Sequence, residues 1–486
     1  MKLTGIPLLL LPAILAATEL SEDLAARRAK LMTALGPPTV FIIQSAPERI
    51  YSRDVEYEYR QDSDFYYLTG IDQPNSTLIL MPGNSSQREI LFIEPANPAR
   101  EHREGRRLTP GQATEASAVA NVYSNVQLNS FLESVLDGRP FMPVPTAERP
   151  ADFDVFLQAV NAGEAKLAIV LNQAASIEGP VNPTLAFANR LRDRFPGLRL
   201  RNVAPLVHAL RQVKTPYERK ILTQSVDISV KAQLAGMRAA RPGAHEYAVK
   251  AAIEQVFRDS GASGWGYPSI TGSGPNATIL HYSAANRRMD AGDLMLVDAA
   301  ANYRFYTGDI TRTYPAGGKY TEPQKEIYRI VIEAQEEAIR VAKPGAMVRD
   351  VHQKTVDVIK AGLLRLGLIT DAKGDQYRTW YTHGSVHYIG IDVHDVGDRF
   401  TPLAPGHAFV IEPGIYIRED GLASLEKTPE NLAMIDKVKP AFERFRGIGI
   451  RLEDSFLLTE TGLINLSAKV PRTIDEIETF LRPTAR

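Results

Sequence analysis

The sequence contains no cysteine among its 486 residues. This absence excludes disulfide bonds, thiolate metal sites and a cysteine nucleophile. Neither sign of charge is in excess, because 56 basic residues stand against 57 acidic ones and the net charge is −1. A chain without a basic surplus lacks the electrostatic footprint of a nucleic-acid-binding protein, so we expect no nucleic acid as a partner.

Long apolar runs are missing as well. The N-terminal run at residues 6–15 is too short to cross a bilayer, but it follows a lysine and leads to small residues, as in a secretory signal cleaved near Ala17. An apolar helix docked on the domain is the alternative, and Pro7 and Pro12 argue against it. We predict a signal peptide over residues 1–17, with a periplasmic or secreted protein that leaves the membrane after cleavage. Without that signal the protein would be cytoplasmic.

The patterning of the remaining chain changes near residue 208. A chain of this length is too long for one core. Residues 18–207 alternate apolar runs such as "TVFIIQ" and "EILFIEP" with helical patterns such as "LNSFLESVLDG", which predicts an α/β domain. Residues 208–486 begin with "TPYE" at Thr215, a capping-box start for a long helix.

The second region has the pattern of a duplication. Two long helical patterns break at "MRAARPGA" (237–244) and "IRVAKPGA" (339–346), which lie 102 residues apart. Strand-like runs follow each helix pair, "ATILHYS", "DLMLVDAAA" and "FYTGDITRTY" in the first half and "HAFVIEPGIYI" and "IGIRLEDSFLL" in the second. We therefore predict an α+β domain made of a duplicated helix–helix–antiparallel-strand unit.

Carboxylates interrupt these apolar strands at four positions: Asp298, Asp309, Glu412 and Glu453. A hairpin turning at Tyr303–Arg304 would place Asp298 opposite Asp309, with Cβ atoms about 5 Å apart. Two carboxylates that close either share a proton or hold a cation. We also expect Arg451, on the strand face of Glu453, to keep that glutamate ionised. Burying four such charges unpaired is prohibitive, so a divalent metal is predicted.

Histidines are crowded in "THGSVHYIGIDVHDVG" (382–397), which holds His383, His387 and His394 of the chain's nine histidines. They could serve as core residues, pH switches, proton carriers or metal ligands. The zinc-protease motif HExxH is rejected, since Gly384 replaces its glutamate. A nitrogen donor among hard oxygens suits Mn²⁺, with Co²⁺ or Zn²⁺ possible. Four carboxylates exceed what one ion needs, so we predict two ions sharing ligands.

Six quoted segments together resemble a known family. "ILHY" (279–282), "VDAAANYRFYTGDITRT" (297–313), "HGSVHYIGIDVHDVGD" (383–398), "IEPGIYI" (411–417) and "GIGIRLED" (447–454) resemble the pita-bread metallopeptidases, in particular the aminopeptidase P (Xaa-Pro aminopeptidase) family. "SRDVEYEYRQDSDFYYLTG" (52–70) resembles the N-terminal domain of that family. The resemblance extends from about residue 25 to the C-terminus.

The resemblance implies a dinuclear centre. Its metal ligands would be Asp298, Asp309, His387, Glu412 and Glu453. Asp309 and Glu453 would bridge the ions, and Glu412 would also carry the proton of the attacking water. The other site residues implied are outer groups that hold substrate or stabilise the developing oxyanion: His281, His383, His394, Tyr416 and Arg451.

The activity implied is removal of the N-terminal residue from peptides with proline in second place, by attack of a metal-activated hydroxide on the Xaa-Pro bond. The family also implies a homo-oligomer, a dimer or tetramer. Two alternatives stay open at this point. One is a prolidase, which cleaves Xaa-Pro dipeptides on the same fold, and the other is a pita-bread protein that binds partners without catalysis.

Overall fold

The structure, a computed structural model, describes residues 10–139, 141, 153–172 and 178–482. The chain divides into two compact units, Met1–Arg211 and Gln212–Arg486. The start of the predicted signal, residues 1–9, lies outside the described residues, and residues 10–17 open the backbone of the first helix. Among the helices described, none combines the length and apolar character needed to span a membrane.

The N-terminal unit alternates strands and helices, as the sequence predicts. Its elements are α1 (Leu10–Leu35), β1 (Thr39–Gln44), β2 (Ile50–Ser52), β3 (Val55–Glu56), α2 (Ser63–Thr69), β4 (Thr77–Leu80), β5 (Glu89–Ile93), α3 (Pro98–Glu104), α4 (Pro110–Ser117), β6 (Asn121–Ser124), α5 (Leu128–Asp137), α6 (Asp154–Asn161), β7 (Lys166–Ile169), α7 (Pro183–Arg194), β8 (Arg199–Asn202) and α8 (Ala204–Gln212). Six strands form one mixed sheet in the order β6-β5-β4-β1-β7-β8. Apolar side chains of the sheet, such as Ile79 and Phe92, pack with Phe131 of α5 in a buried core. The α/β prediction is confirmed.

The second unit begins with paired helices and continues into strands in both halves. Its elements are α9 (Pro216–Ala239), α10 (Glu246–Asp259), β9 (Gly264–Trp265), β10 (Ile270–Ser273), β11 (Leu294–Asp298), β12 (Ala301–Tyr303), β13 (Tyr306–Thr307), β14 (Thr311–Pro315), α11 (Glu322–Val341), α12 (Val348–Arg365), β15 (Ala408–Ile411), β16 (Gly414–Tyr416), α13 (Pro429–Phe445), β17 (Gly449–Arg451), β18 (Asp454–Thr459), β19 (Gly462–Asn465) and α14 (Ile474–Phe480). The predicted helix–helix–antiparallel-strand duplication is confirmed.

Helix starts in this unit follow the capping signals of the sequence. The Thr215 hydroxyl accepts the Glu218 backbone N–H, and the Glu218 carboxylate accepts the Thr215 backbone N–H. Thr321 and Gln324 form the same pair of hydrogen bonds. Such reciprocal caps satisfy two N–H groups that a helix end leaves open. The helix after Thr215 therefore begins where the sequence predicts, and the helix after Thr321 begins with the same capping box.

Antiparallel strands lie beside these helices. They form the sheets β10-β11-β14, β13-β12-β9, β15-β18-β19 and β16-β17. Buried apolar side chains from helices and strands share one large core, which includes Val226, Ile253, Val297, Ile327 and Ile450. The prediction of a strand at "ATILHYS" is wrong, since residues 274–278 form a 3₁₀ turn and 279–283 are irregular. Gly274, with φ 54°, starts that turn and ends β10 instead.

Candidate metal centre

The acidic side chains singled out in the sequence lie at the ends of four strands. Asp298 is the last residue of β11, and Glu412 directly follows β15. Glu453 directly precedes β18, and Asp309 lies two residues before β14. Strand ends carry these groups because the neighbouring apolar residues fill the core while the chain turns towards a cavity. Each half of the unit thus supplies two carboxylates.

The pairing of Asp298 differs from the predicted register. Asp298 lies opposite Thr311, and Tyr303 lies opposite Tyr306, so the hairpin turns at Arg304–Phe305. Both turn residues have positive φ, 50° and 72°, as a tight turn of the primed type requires. The shift from the predicted register is two residues, and because side chains alternate in direction, Asp309 stays on the same face as Asp298.

His387 lies among the carboxylates. Its Nε2 is 3.5 Å from Glu412 Oε1, 3.7 Å from Asp309 Oδ2 and 3.8 Å from Glu453 Oε1. Its Nδ1 lies 3.1 Å from the Tyr388 carbonyl oxygen, which accepts the ring N–H and leaves the Nε2 lone pair directed at the carboxylates. Burial lowers the pKa of His387 to about 4, so the ring is a neutral donor near neutral pH. Ligand atoms of Asp309, His387 and Glu453 lie within 4.8 Å of one another, close enough to hold one metal ion.

Among the described residues, Asp309, Glu412 and Glu453 form no ion pair with an arginine or a lysine. Burial, with Asp298 nearby, raises the pKa of Glu453 to about 8, and burial and Glu453 raise the pKa of Asp309 and Glu412 well above the usual range. Glu453 Oε2 accepts a hydrogen bond from Thr311, but its buried Oε1 has no hydrogen-bond partner. Hard oxygens with one imidazole and an unsatisfied buried oxygen fit a divalent cation.

Tyr267 is a site residue that the sequence did not reveal. Its hydroxyl contacts both aspartates, lying 2.6 Å from Asp298 Oδ1 and closer still to Asp309 Oδ1. Burial, followed by the charges of these aspartates, raises the pKa of Tyr267 far above its usual range, so the group is a phenol that donates its proton. No local pattern in the stretch "GYPS" signals this contact, since only the folded sheet brings Tyr267 to β11.

We had expected Arg451 to pair with Glu453, but in the structure it pairs with Asp298. Its Nη2 is 2.6 Å from Asp298 Oδ2, and its Nη1 donates to the Tyr416 hydroxyl at 3.0 Å. The reason lies in the chain direction, because Arg451 closes β17 while Glu453 belongs to the turn into β18. The arginine lowers the pKa of Glu453 only as a minor effect that burial exceeds.

Tyr416 continues this chain of contacts to His383. Its hydroxyl is 2.8 Å from His383 Nε2, and the other ring nitrogen, Nδ1, is 2.8 Å from the Gly384 carbonyl. Nδ1 thus carries the proton, and Nε2 accepts from the tyrosine. Burial lowers the pKa of His383 to about 3, so the ring is neutral. The order Asp298, Arg451, Tyr416, His383 forms one hydrogen-bonded wall of the cavity.

His281 and His394 line the open side. The cavity has a volume of about 320 Å³, and its lining includes Leu280, His281, Asp298, Asp309, His383, Val386, His387, His394, Arg399, Glu412 and Arg451. The His394 ring meets the His387 ring edge-on at 4.4 Å between centroids. Arg399, another residue not singled out in the sequence, adds a positive charge at this side.

Support for the histidine segment comes from α12. His352 Nδ1 lies 2.8 Å from the Ser385 hydroxyl and accepts the Ser385 backbone N–H at 3.2 Å. Ser385 lies between His383 and His387, and its carbonyl accepts the Glu412 N–H at 2.9 Å. These bonds tie two ligands of the predicted centre to one helix.

Known proteins match the chain over both units. Metallopeptidase family M24 matches residues 220–460, and the N-terminal domain of aminopeptidase P matches residues 24–142. The Xaa-Pro aminopeptidase of Escherichia coli (strain K12) is 34% identical over 474 residues, across 95% of this chain and 97% of that protein.

Solved structures agree with that likeness. The aminopeptidase P of E. coli with the inhibitor Pro-Leu is 32% identical, with a TM-score of 0.78 over 95% of this chain and 98% of that one. The zinc-substituted E. coli aminopeptidase P in complex with product is 31% identical, with a TM-score of 0.78 over 96% and 99%. The likeness therefore covers the order of the domains as well as the local motifs.

Proposed function

The chain belongs to the aminopeptidase P family of M24 metallopeptidases, and we propose that it releases the N-terminal residue of peptides whose second residue is proline. The observation that carries this proposal is the convergence of Asp309, Glu412 and Glu453 on His387 Nε2, with the buried Glu453 Oε1 lacking a hydrogen-bond partner. The aminopeptidase P N-terminal domain favours this activity over that of a prolidase. Metal dependence follows from the M24 family and from the buried Asp/His/Glu cluster.

Two divalent cations are the cofactor we propose, with Mn²⁺ as the first choice and Co²⁺ or Zn²⁺ as possible substitutes. The residues that would hold them are Asp298, Asp309, His387, Glu412 and Glu453, with Asp309 and Glu453 shared between the ions. When bound, the cations would acidify a water and polarise the scissile carbonyl. The acidic donor set, the neutral Nε2 of His387 and the zinc-substituted relative support this assignment.

Proton transfer falls to Glu412 in this proposal. Its side chain lies beside His387 in the cavity lining, where the carboxylate would take a proton from the attacking water and hold it. It then gives the proton to the proline nitrogen as the carbon–nitrogen bond breaks. The products are the free N-terminal amino acid and a peptide that begins with proline.

Other side chains orient the substrate. His394, at the cavity wall beside His387, would donate a hydrogen bond to the carbonyl oxygen as negative charge develops there. His281 would contact the proline side, and His383 would contact the peptide while Tyr416 holds its ring. Arg451 would hold Asp298 in its ligand position.

Turnover with matched peptides tests the proposal. After chelation and reloading with Mn²⁺, the protein should cleave Xaa-Pro-Yaa tripeptides, with much weaker action on Xaa-Ala-Yaa and on Xaa-Pro dipeptides. Chelated protein should be inactive. Preferential cleavage of the dipeptide would identify a prolidase, and no cleavage with metal bound would favour a binding protein.

A further inference from the structure

The segment that carries His394 is a tight turn held by its own backbone. Asp395 N–H donates to the Tyr388 carbonyl at 2.9 Å, and Gly390 N–H donates to the Asp392 carbonyl at 3.1 Å. Among the described residues, the His394 ring itself has no hydrogen-bond partner, and its ring contact is with His387. The direction of this imidazole therefore depends on where the turn lies.

A buried ion pair lies directly beside His394. Lys214 Nζ is 2.8 Å from Asp395 Oδ2, and the two side chains are 0% and 2% exposed. Of the ion pairs described, most others lie at the surface, where water weakens them, but this pair is screened from solvent. Asp395 is the next residue after His394, so the ammonium acts on the turn one residue from the ring.

Neighbouring residues pack closely against this pair. A Cβ atom at Gly390 would lie 2.2 Å from Asp395 Oδ2 and 2.9 Å from Lys214 Cε, so a larger residue there would force the ion pair to move. The Lys214 backbone N–H donates to the Gly406 carbonyl at 2.8 Å, which fixes the lysine from behind. Gln212 holds the far end of the turn, since its amide bonds both the N–H and the carbonyl of Asp398.

We propose that Lys214 is a positioning residue which, through its ion pair with Asp395, holds His394 over the metal-ligating carboxylates. The consequence for catalysis rests on the proposed function, but the structural claim does not. Without the ammonium, Asp395 would lose its buried counter-charge, and the turn would have to open for water to solvate the carboxylate. His394 would then lose its fixed direction.

Hydrogen exchange tests the structural claim in the full-length protein. Lys214→Met should speed amide exchange across residues 388–398. Lys469→Met is the matched control, since Lys469 pairs with Asp227 at the surface, with exposures of 75% and 44%. Asp395→Asn, which removes the charge from the other side, should act in the same direction. Unchanged exchange across 388–398 in both Lys214→Met and Asp395→Asn would overturn the proposal.

A double-mutant cycle with His394 tests the catalytic claim. We expect Lys214→Met to lower kcat by about tenfold or more, as loss of outer-shell support does, with a smaller change in KM. In a His394→Ala background the same substitution should have no further effect on kcat, because a residue that acts through another is non-additive with it. An equal loss in both backgrounds would contradict the proposal. If His394→Ala alone left kcat unchanged, the role of His394 in the proposed function would fail, and hydrogen exchange would still decide the role of Lys214.

Discussion

The two halves of the second unit share a scaffold and differ in what joins its parts. Gly243 and Gly345 break the two helix pairs with φ of 84° and 87°. Gly243 N–H donates to the Met289 carbonyl, and Gly345 N–H donates to the Leu403 carbonyl, each at 2.8 Å. The same local geometry thus recurs where the sequence repeats Pro-Gly-Ala.

Buried glutamines extend the match into the sheets. Gln233 on α9 donates to the Ile310 carbonyl at 2.7 Å, and Gln335 on α11 donates to the Ile411 carbonyl at 3.0 Å. The two glutamines are 102 positions apart, the spacing of the sequence repeat. Each ties its long helix to strand ends that carry the proposed acidic ligands.

The halves diverge in the segments between helices and strands. Residues 260–293 of the first half bring in Tyr267 and His281, whereas residues 366–407 of the second bring in the three clustered histidines. The strand ends give carboxylates in both halves, and the imidazole that groups with Asp309 and Glu453 in the described part of the chain is His387 of the second half. The repeated helices and strands therefore place the carboxylates, while the segments that are not repeated add the tyrosine and histidine side chains of the site.

The equivalence of the halves is tested most strongly by Asp309→Asn and Glu453→Gln. If each half contributes one bridging carboxylate, both variants should lose metal and activity by more than the ~100-fold that outer-shell partners cost. Metal analysis and turnover measure this, and Asp375→Asn, 76% exposed, is the control. Full metal content in one variant alone would break the equivalence.

Tyr267→Phe tests what the unrepeated segment of the first half adds. The phenol donates to Asp298 and contacts Asp309, and its loss should weaken Mn²⁺ binding about 10–100-fold. Titration of chelated protein with Mn²⁺ measures the affinity. Unchanged affinity would mean that the tyrosine fills space beside the aspartates without orienting them.

Substitution of the two buried glutamines tests how much each contributes to the free energy of unfolding. Gln233→Leu and Gln335→Leu should each lower the free energy of unfolding by about 1–3 kcal/mol, because buried carbonyls lose a donor. The loss should be larger for Gln335, which also bonds Asp454 and Arg472. Thermal unfolding measures both, with exposed Gln353→Leu as the control. A larger loss for Gln233 would contradict this ranking.

The smallest expected difference between the halves is in how far each makes the stability of the protein depend on pH. His407 Nδ1 accepts the Ala404 N–H just before β15, where the first half uses Asp293 and the Asp290 N–H. Burial lowers the pKa of His407 to about 4, whereas an unfolded histidine titrates near 6.5. Between these values only the unfolded chain takes up the proton, so stability falls as pH drops from about 6.5 to 4.

The corresponding variant is His407→Asn, which keeps an acceptor but does not titrate. The loss of stability of the parent protein between pH 7 and 5 should shrink in this variant, by roughly 1 kcal/mol after allowance for screening. Thermal unfolding at the two pH values gives the difference, and the smaller asparagine lowers both values together. An identical pH response in parent and variant would show that His407 does not set it.

Local signals in the sequence predicted the helices and the four acidic positions among the apolar strands, although the structure places these residues at or beside the strand ends. The caps at Thr215 and Thr321 depend on residues three positions apart, so they can be read from short stretches. The hairpin register could not be predicted from a short stretch of sequence. The turn at Arg304–Phe305 contains no glycine, and its position is decided by the pairing of the strands with β9 and the rest of the sheet. Tyr267 and the Arg451–Asp298 pair were missed because folding alone brings these distant positions together.

Metal stoichiometry tests the central claim most directly, namely that acidic strand ends from both halves and His387 hold two divalent cations. Chelated protein should be reloaded with Mn²⁺ and the bound metal counted as turnover of a proline-containing tripeptide returns. We predict full activity at two ions per chain and loss of both ions in Asp309→Asn. Full activity with one ion or none per chain would contradict the account.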